Sequence, residues 1–175
     1  MNRRTAVAAF AAALLAMPAL TMAQDKELST TQTIHIKASP DAVWEYAGDF
    51  AGIPRWFSLI KDSRLVLRTK NETGAIRELV RGNGTKVREK LTDYDAGRYT
   101  MTYTYVDGQV MAKDYYSTME LKPTANGETD VVWSGRFKRL DDAPEGQDDA
   151  ALEALYASIY KRGLELLKAK VEGTD

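Results

Sequence analysis

The residues best able to do chemistry in this chain cluster around one carboxylate. In the stretch "GTKVREKLTDYD", residues 84–95, an extended backbone puts Lys86, Arg88, Lys90 and Thr92 on one face and Val87, Glu89 and Leu91 on the other. The basic face must be the wet one, so Glu89 points to the dry side. A carboxylate there needs a cation, because a buried charge is either paired or neutralised. Arg77, in the run "AIRELVR" where it shares a face with Leu79, is the nearest candidate.

The same alternation turns phenols inward. In "RYTMTYTY" Thr100, Thr102 and Thr104 form one face, and Tyr99, Met101, Tyr103 and Tyr105 the other. In "AKDYYSTMEL" Tyr115, Ser117, Met119 and Leu121 look inward, while Asp114, Tyr116, Thr118 and Glu120 look out. The register of "VVWSGRF" stays open between a face bearing Trp133 and Phe137 and one bearing Val132, Ser134 and Arg136. A few polar tips converging in an apolar, aromatic concavity are the usual make-up of a small-molecule site. An ordinary core, with Glu89 paired to Arg77 and the hydroxyls reaching water, is the competing reading.

Chemistry at such a site would be general acid/base work by Glu89 or Tyr115. Burial would raise the carboxyl's pKa and Arg77 would lower it. Other chemistries have little to stand on. The single histidine, His35, lies between Ile34 and Ile36 and so faces the other way. With no cysteine, the chain has no set of soft or imidazole ligands for zinc or copper. No glycine-rich phosphate loop, G-x-S-x-G elbow or HExxH is present, and nothing calls for a cofactor. The balance leans away from an enzyme.

The elements that must position these residues can be read from the turns. Residues 1–23 carry Arg3 and Arg4, then an apolar, alanine-rich run, then "TMA" before Gln24, which reads as a secretory signal peptide. Its apolar run is shorter than the roughly 20 residues of a membrane span. Residues 24–175 are then one exported domain, expected in a bacterial periplasm with no span after cleavage. That segment keeps 22 basic against 25 acidic residues, a net charge near −3, and offers no electrostatic footprint for nucleic acid.

Within it, "TTQTIHIKAS" alternates as a first strand. "SPDAVWEYAGDF" starts a helix, with Ser39 as N-cap, Pro40 at the first helical position and Asp41 at the positive end. "IPRWFSLI" resumes with a short turn of helix. Strands follow at about 60–69, 75–81, 85–94, 98–106, 112–122 and 129–139, separated by "NETG", "GNG", "DAG", "VDG" and "TANG". Beyond the acidic "LDDAPEGQDDAALEA", a helix of about 24 residues sets Leu152, Leu155, Ile159, Gly163 and Leu166 on one stripe. An antiparallel meander must cover its apolar face, and this helix is the only element large enough. The expected fold is α+β: a curved seven-stranded antiparallel sheet wrapped around a long C-terminal helix, with a hollow between them.

In this order, "ASPDAVWEYAGDF", "GAIRELV", "REKLTDYDAGRYTMTY", "DYYSTMEL" and the closing helix resemble the SRPBCC superfamily. That group holds the polyketide cyclase/dehydrase and lipid-transport proteins and the START-like and Bet v 1-like domains. The resemblance covers residues 30–172 and implies a helix-grip fold that binds a lipophilic small molecule. Within the superfamily the chain is most similar to exported MxaD-like proteins of methanol oxidation, through "ASPDAVW", "REKLTDYD", "YYSTMEL", "VVWSGRF" and "GLELLKAKVE". That similarity implies a periplasmic accessory of electron transfer from methanol dehydrogenase to its c-type cytochrome. An acidic run such as residues 140–154 could dock a basic partner, though it more commonly marks a solvated loop and helix start.

More distantly, the chain resembles plant hormone receptors of the same fold. The resemblance implies a site at Glu89, Tyr115 and Ser117, with Tyr103, Tyr105, Leu155 and Ile159 as the apolar wall. Phe57 stands near the receptors' pocket lysine and "RGNGT" replaces their gate loop, which argues against their carboxylate-bearing hormone. Phe57, Leu59, Arg77 and Leu79 complete the expected lining.

Overall fold

The structure, a computed structural model, describes residues 26–174; the expected signal peptide at 1–23 lies outside them. Seven strands form one antiparallel sheet: β1 (Leu28–Ile36), β2 (Ile60–Leu67), β3 (Ile76–Arg81), β4 (Lys86–Asp95), β5 (Thr100–Gly108), β6 (Lys113–Pro123) and β7 (Thr129–Lys138). Their order across the sheet is β1-β7-β6-β5-β4-β3-β2, so the first strand pairs with the last and the others follow as a meander. Between β1 and β2 run α1 (Pro40–Ala47) and a 3-10 turn (Ile53–Arg55). The long helix α2 (Asp149–Glu172) closes the chain.

The helix ends form for the reasons visible in the sequence. The Ser39 side chain accepts from the Ala42 N–H, and that of Asp148 from the Ala151 N–H. Gly173 ends α2 in the left-handed conformation, its N–H bonded to the Ala169 carbonyl. Side-chain bonds tie α2 along β1: Lys168 donates to the His35 carbonyl, and Glu153 accepts from the Ser29 N–H. Among the described residues, no helix is long and apolar enough to cross a membrane.

Bulges bend the strands around α2, as an extra residue on one side of a pair does. Arg88 and Glu89 pair with Asp107 and Tyr105, leaving Val106 as the extra residue; Leu91 and Asp93 pair with Tyr103 and Thr102, leaving Thr92. Between these two bulges Glu89 and Leu91 face inward opposite Tyr105 and Tyr103. A third bulge lies at the start of β6, where Asp114 takes a φ of 51°. Aspartate tolerates that left-handed conformation better than most side chains.

The register of β7 resolves in favour of Trp133 and Phe137, both buried with Val131. The stripe of α2 differs from the expected one. Leu152 and Gly163 are buried as expected, but Tyr156, Tyr160, Leu164 and Leu167 fill the rest, while Leu155, Ile159 and Leu166 are half-buried. The spacing set out from Leu152 by three residues to Leu155; the helix instead follows the four-residue step to Tyr156 and Tyr160. The larger aromatic surfaces take the sheet-facing line, since burying a tyrosine ring removes more apolar area from water than burying a leucine.

Candidate functional site

Glu89 and Arg77 are direct cross-strand partners on β4 and β3. Both are nearly inaccessible to solvent, at 5% and 2% exposure. Arg77 Nε donates to Glu89 Oε2 at 2.8 Å, and Nη2 lies 2.6 Å from the same oxygen. Nη1 donates to the Phe50 carbonyl, and the guanidinium lies over the Phe50 ring at 4.1 Å and near the Tyr103 ring at 5.0 Å. The cation is therefore held from four sides. Glu89 Oε1 accepts no hydrogen bond from any described residue.

Beside this pair is a cavity of about 130 Å³ between the sheet and α2. Of the residues expected to line it, Phe57, Leu59, Arg77, Leu79, Glu89, Tyr103, Tyr105, Tyr115 and Ile159 do so. Ser117 and Leu155 do not. Ser117 is fully buried behind the wall, where its Oγ accepts from Trp133 Nε1 at 2.8 Å and from the Tyr160 hydroxyl at 3.0 Å. Leu155 misses the cavity because α2 turns Tyr156 toward it instead.

Arg81, Val87, Trp133, Tyr156 and Tyr160, with Ile53, Ile60 and Met111, also line the cavity and were not among the expected residues. Two of these were legible. Val87 alternates with Glu89, and Arg81 with Leu79 and Arg77, so each follows from the period of two already in use. Trp133 hung on an open register, and the two tyrosines on the step of the α2 stripe.

The wall is a continuous aromatic assembly. Tyr105 stacks on Tyr115 with centroids 4.1 Å apart, and Tyr115 on Tyr156 at 5.3 Å. Trp133 lies flat on Tyr160 at 4.5 Å, with Phe57 edge-on to it at 6.0 Å. The hydroxyls are joined in pairs, Tyr105 to Tyr156 at 3.1 Å and Tyr115 to Tyr160 at 3.0 Å. Trp133 Nε1 also donates to the Tyr103 hydroxyl. Burial pushes the phenols of Tyr103, Tyr105, Tyr115, Tyr156 and Tyr160 upward, because a phenolate there would lose its hydration. Each phenol therefore keeps its proton at neutral pH, and Tyr115 could there donate a proton but not take one up.

The mouth lies where three loops meet. Leu59, 49% exposed, follows the 3-10 turn, and its carbonyl accepts from the N–H of Gly82 in the β3–β4 turn. That turn is clasped to the β5–β6 loop: Gln109 Oε1 accepts from the Lys86 N–H, and its own N–H donates to the Lys86 carbonyl. Gly108, at φ 94°, permits this, because a Cβ there would lie 2.6 Å from the Lys86 carbonyl oxygen. Among the described residues no group of His, Cys, Asp and Glu is placed to hold a metal ion. His35 lies on the far side of the sheet, between Glu128 and Asp130.

A curved sheet gripping one helix, with a cavity between the two, is the helix-grip fold of small-molecule-binding domains. The chain belongs to the polyketide cyclase/dehydrase and lipid transport family, whose model matches residues 27–172. Among solved structures it is similar to the protein XoxI from Bacillus cereus, at 26% identity and a TM-score of 0.70 over 81% of this chain and 93% of that one. It is also similar to an uncharacterised protein from Bacillus thuringiensis, at 26% and 0.70 over 82% and 98%. A Thermobifida fusca protein matches at 25% and 0.69 over 84% and 95%. No curated protein matches the chain.

Proposed function

We propose that this protein binds a lipophilic small molecule in the cavity between sheet and helix, without catalysing a reaction on it. The observation that carries this reading is the cavity's composition. Its walls are aromatic and aliphatic, and the one carboxylate in it is pinned by Arg77 as a fixed acceptor. Fixed acceptors orient ligands; an acid/base catalyst must also release and regain its proton within the cycle. The space also limits the guest. An engineered apolar cavity of about 150 Å³ takes benzene, so about 130 Å³ holds one ring, and a larger lipid requires the clasped mouth to open.

We further propose that residues 1–23 direct export and are removed before Gln24. The intact mass of protein from a periplasmic fraction tests that directly. For the cavity, native mass spectrometry of the same material should show a retained apolar mass. Ile159→Trp, which fills the cavity from its half-buried helix position, should fold and lose it. A wild-type protein that carries no such mass and binds no apolar fluorescent probe would overturn the reading.

The accessory role suggested by the MxaD-like resemblance ranks second. Its support is the exposed pair Asp142 and Glu145 in the acidic segment before α2. Other acids of that segment are engaged within the chain: Asp141 pairs with Lys113, Asp149 pairs with Arg139, and Asp148 caps α2. Co-purification of a quinoprotein dehydrogenase or a c-type cytochrome, abolished by Asp142→Lys with Glu145→Lys, would favour it.

A further inference from the structure

Three charged side chains line the cavity, and only two of them cancel. Arg77 and Glu89 form the buried pair, whereas Arg81 makes no ion pair with any described residue. Its two hydrogen bonds, to the Gln109 carbonyl at 2.7 Å and to Thr85 Oγ1 at 3.3 Å, both leave from Nη1. Nε and Nη2, one side of the guanidinium fork, have no protein acceptor among the described residues. That side matches a carboxylate in the two-point geometry arginine favours. The phenols around the cavity stay neutral, so nothing in the wall supplies the missing anion.

Arg81 and Glu89 stand toward opposite ends of the space. Arg81 is four residues beyond Arg77 on β3, about 13 Å along the strand, and Arg77 is the direct partner of Glu89. Both charges act on the phenols of Tyr105 and Tyr156, which line the same space. The same wall carries the stacked rings of Tyr105 and Tyr115, and the space has room for one more ring.

Resting on the cavity-binding reading, we infer that the guest is a small aromatic monoanion: one ring with a carboxylate at the Arg81 end and a hydroxyl donating to Glu89 Oε1. The ring fits the volume, the carboxylate balances the unmatched cation, and the hydroxyl satisfies the unused oxygen. A neutral hydrocarbon would leave Glu89 Oε1 without a donor and the half-buried Arg81 without an anion, and unpaired polar groups are what a site discriminates with most strongly.

Titration calorimetry of the purified protein with 4-hydroxybenzoate, benzoate and phenol tests this. 4-Hydroxybenzoate should bind tightest. Phenol, lacking the carboxylate, and benzoate, lacking the hydroxyl, should each bind at least about tenfold more weakly, the least that a hydrogen bond to a charged group contributes. Arg81→Gln should weaken 4-hydroxybenzoate by that factor while leaving phenol unchanged, and Arg81→Lys should recover part of the loss. Phenol binding as tightly as 4-hydroxybenzoate, or Arg81→Gln weakening both alike, overturns the inference and leaves apolar binding intact. If none of the three binds while an apolar mass is still retained, the inference alone falls; if no apolar mass is retained either, both readings fall.

Discussion

Arg77 directs two guanidinium nitrogens at a single oxygen of Glu89, so the pair is closed on one side and leaves Oε1 free on the other. One carboxylate thereby serves two purposes, as counter-ion to a buried cation and as an acceptor beside the cavity. The two roles separate on mutation. Glu89→Leu strands the arginine and should cost about 3–5 kcal/mol, whereas Arg77→Met with Glu89→Leu should recover much of that, because no charge stays buried. Recovery should be incomplete, since the Phe50 carbonyl also loses its donor. Urea denaturation of the two singles and the double measures the coupling; purely additive losses would refute a paired charge.

Gly163 sets how closely α2 approaches the sheet. A Cβ there would sit 2.5 Å from Cζ3 of Trp133, a ring fixed by stacking on Tyr160 and by hydrogen bonds to Ser117 and Tyr103. Gly163→Ala gains roughly 1 kcal/mol of helix propensity but overpacks a rigid contact at about 1–3 kcal/mol. The clash should win. Thermal melts should show a net loss, with altered tryptophan fluorescence; a stabilised variant would mean that the ring yields easily.

His35 is the only histidine of the chain, so its titration can be followed without assignment. Hydrogen bonds to Asp130 first and Glu128 second raise its pKa above the ordinary 6.5. A folded-state value raised above the unfolded one gives stability that is fully present below about pH 6.5 and lost as pH rises through the folded value. The proton resonance of the ring should therefore titrate above 6.5. The stability difference between wild type and His35→Gln should be largest in mild acid and vanish in mild alkali. A midpoint below 6.5 would mean that the two carboxylates do not hold the ring in solution.

The parts of the site that were legible in sequence are those governed by a period of two. Glu89, Arg77, Leu79, Tyr103, Tyr105 and Tyr115 fell on the inner face because a strand admits only two faces. A helix admits more, and an offset of one residue moves its stripe by 100°. That is why Leu155 was expected where Tyr156 stands. Ser117 has the correct face but the wrong depth, since depth depends on how Trp133 and Tyr160 close over it. The inward face of Arg81 follows from the same period, but its lack of an acidic partner among the described residues does not, because pairing is a property of the folded surface and not of spacing along the chain.

The buried phenols predict how the fold ends in alkali. Five tyrosines have their hydroxyls raised, by burial before any other cause, and the neighbouring Glu89 charge adds to this for Tyr103, Tyr105, Tyr115 and Tyr156. Unfolding frees each to ionise near the ordinary value of about 10. Below that value the folded and unfolded chains bind these protons equally, and the contribution is constant. Above it the unfolded chain releases protons that the folded chain retains, so stability falls with pH, and five groups make the fall steep. The absorbance of tyrosinate should accordingly rise in two stages. Exposed tyrosines ionise first, and the buried set follows in one cooperative step that coincides with loss of the circular dichroism signal. Phenols that titrate singly, with the fold still intact, would mean that water reaches the cavity wall freely and that its aromatic lining is not sealed by α2.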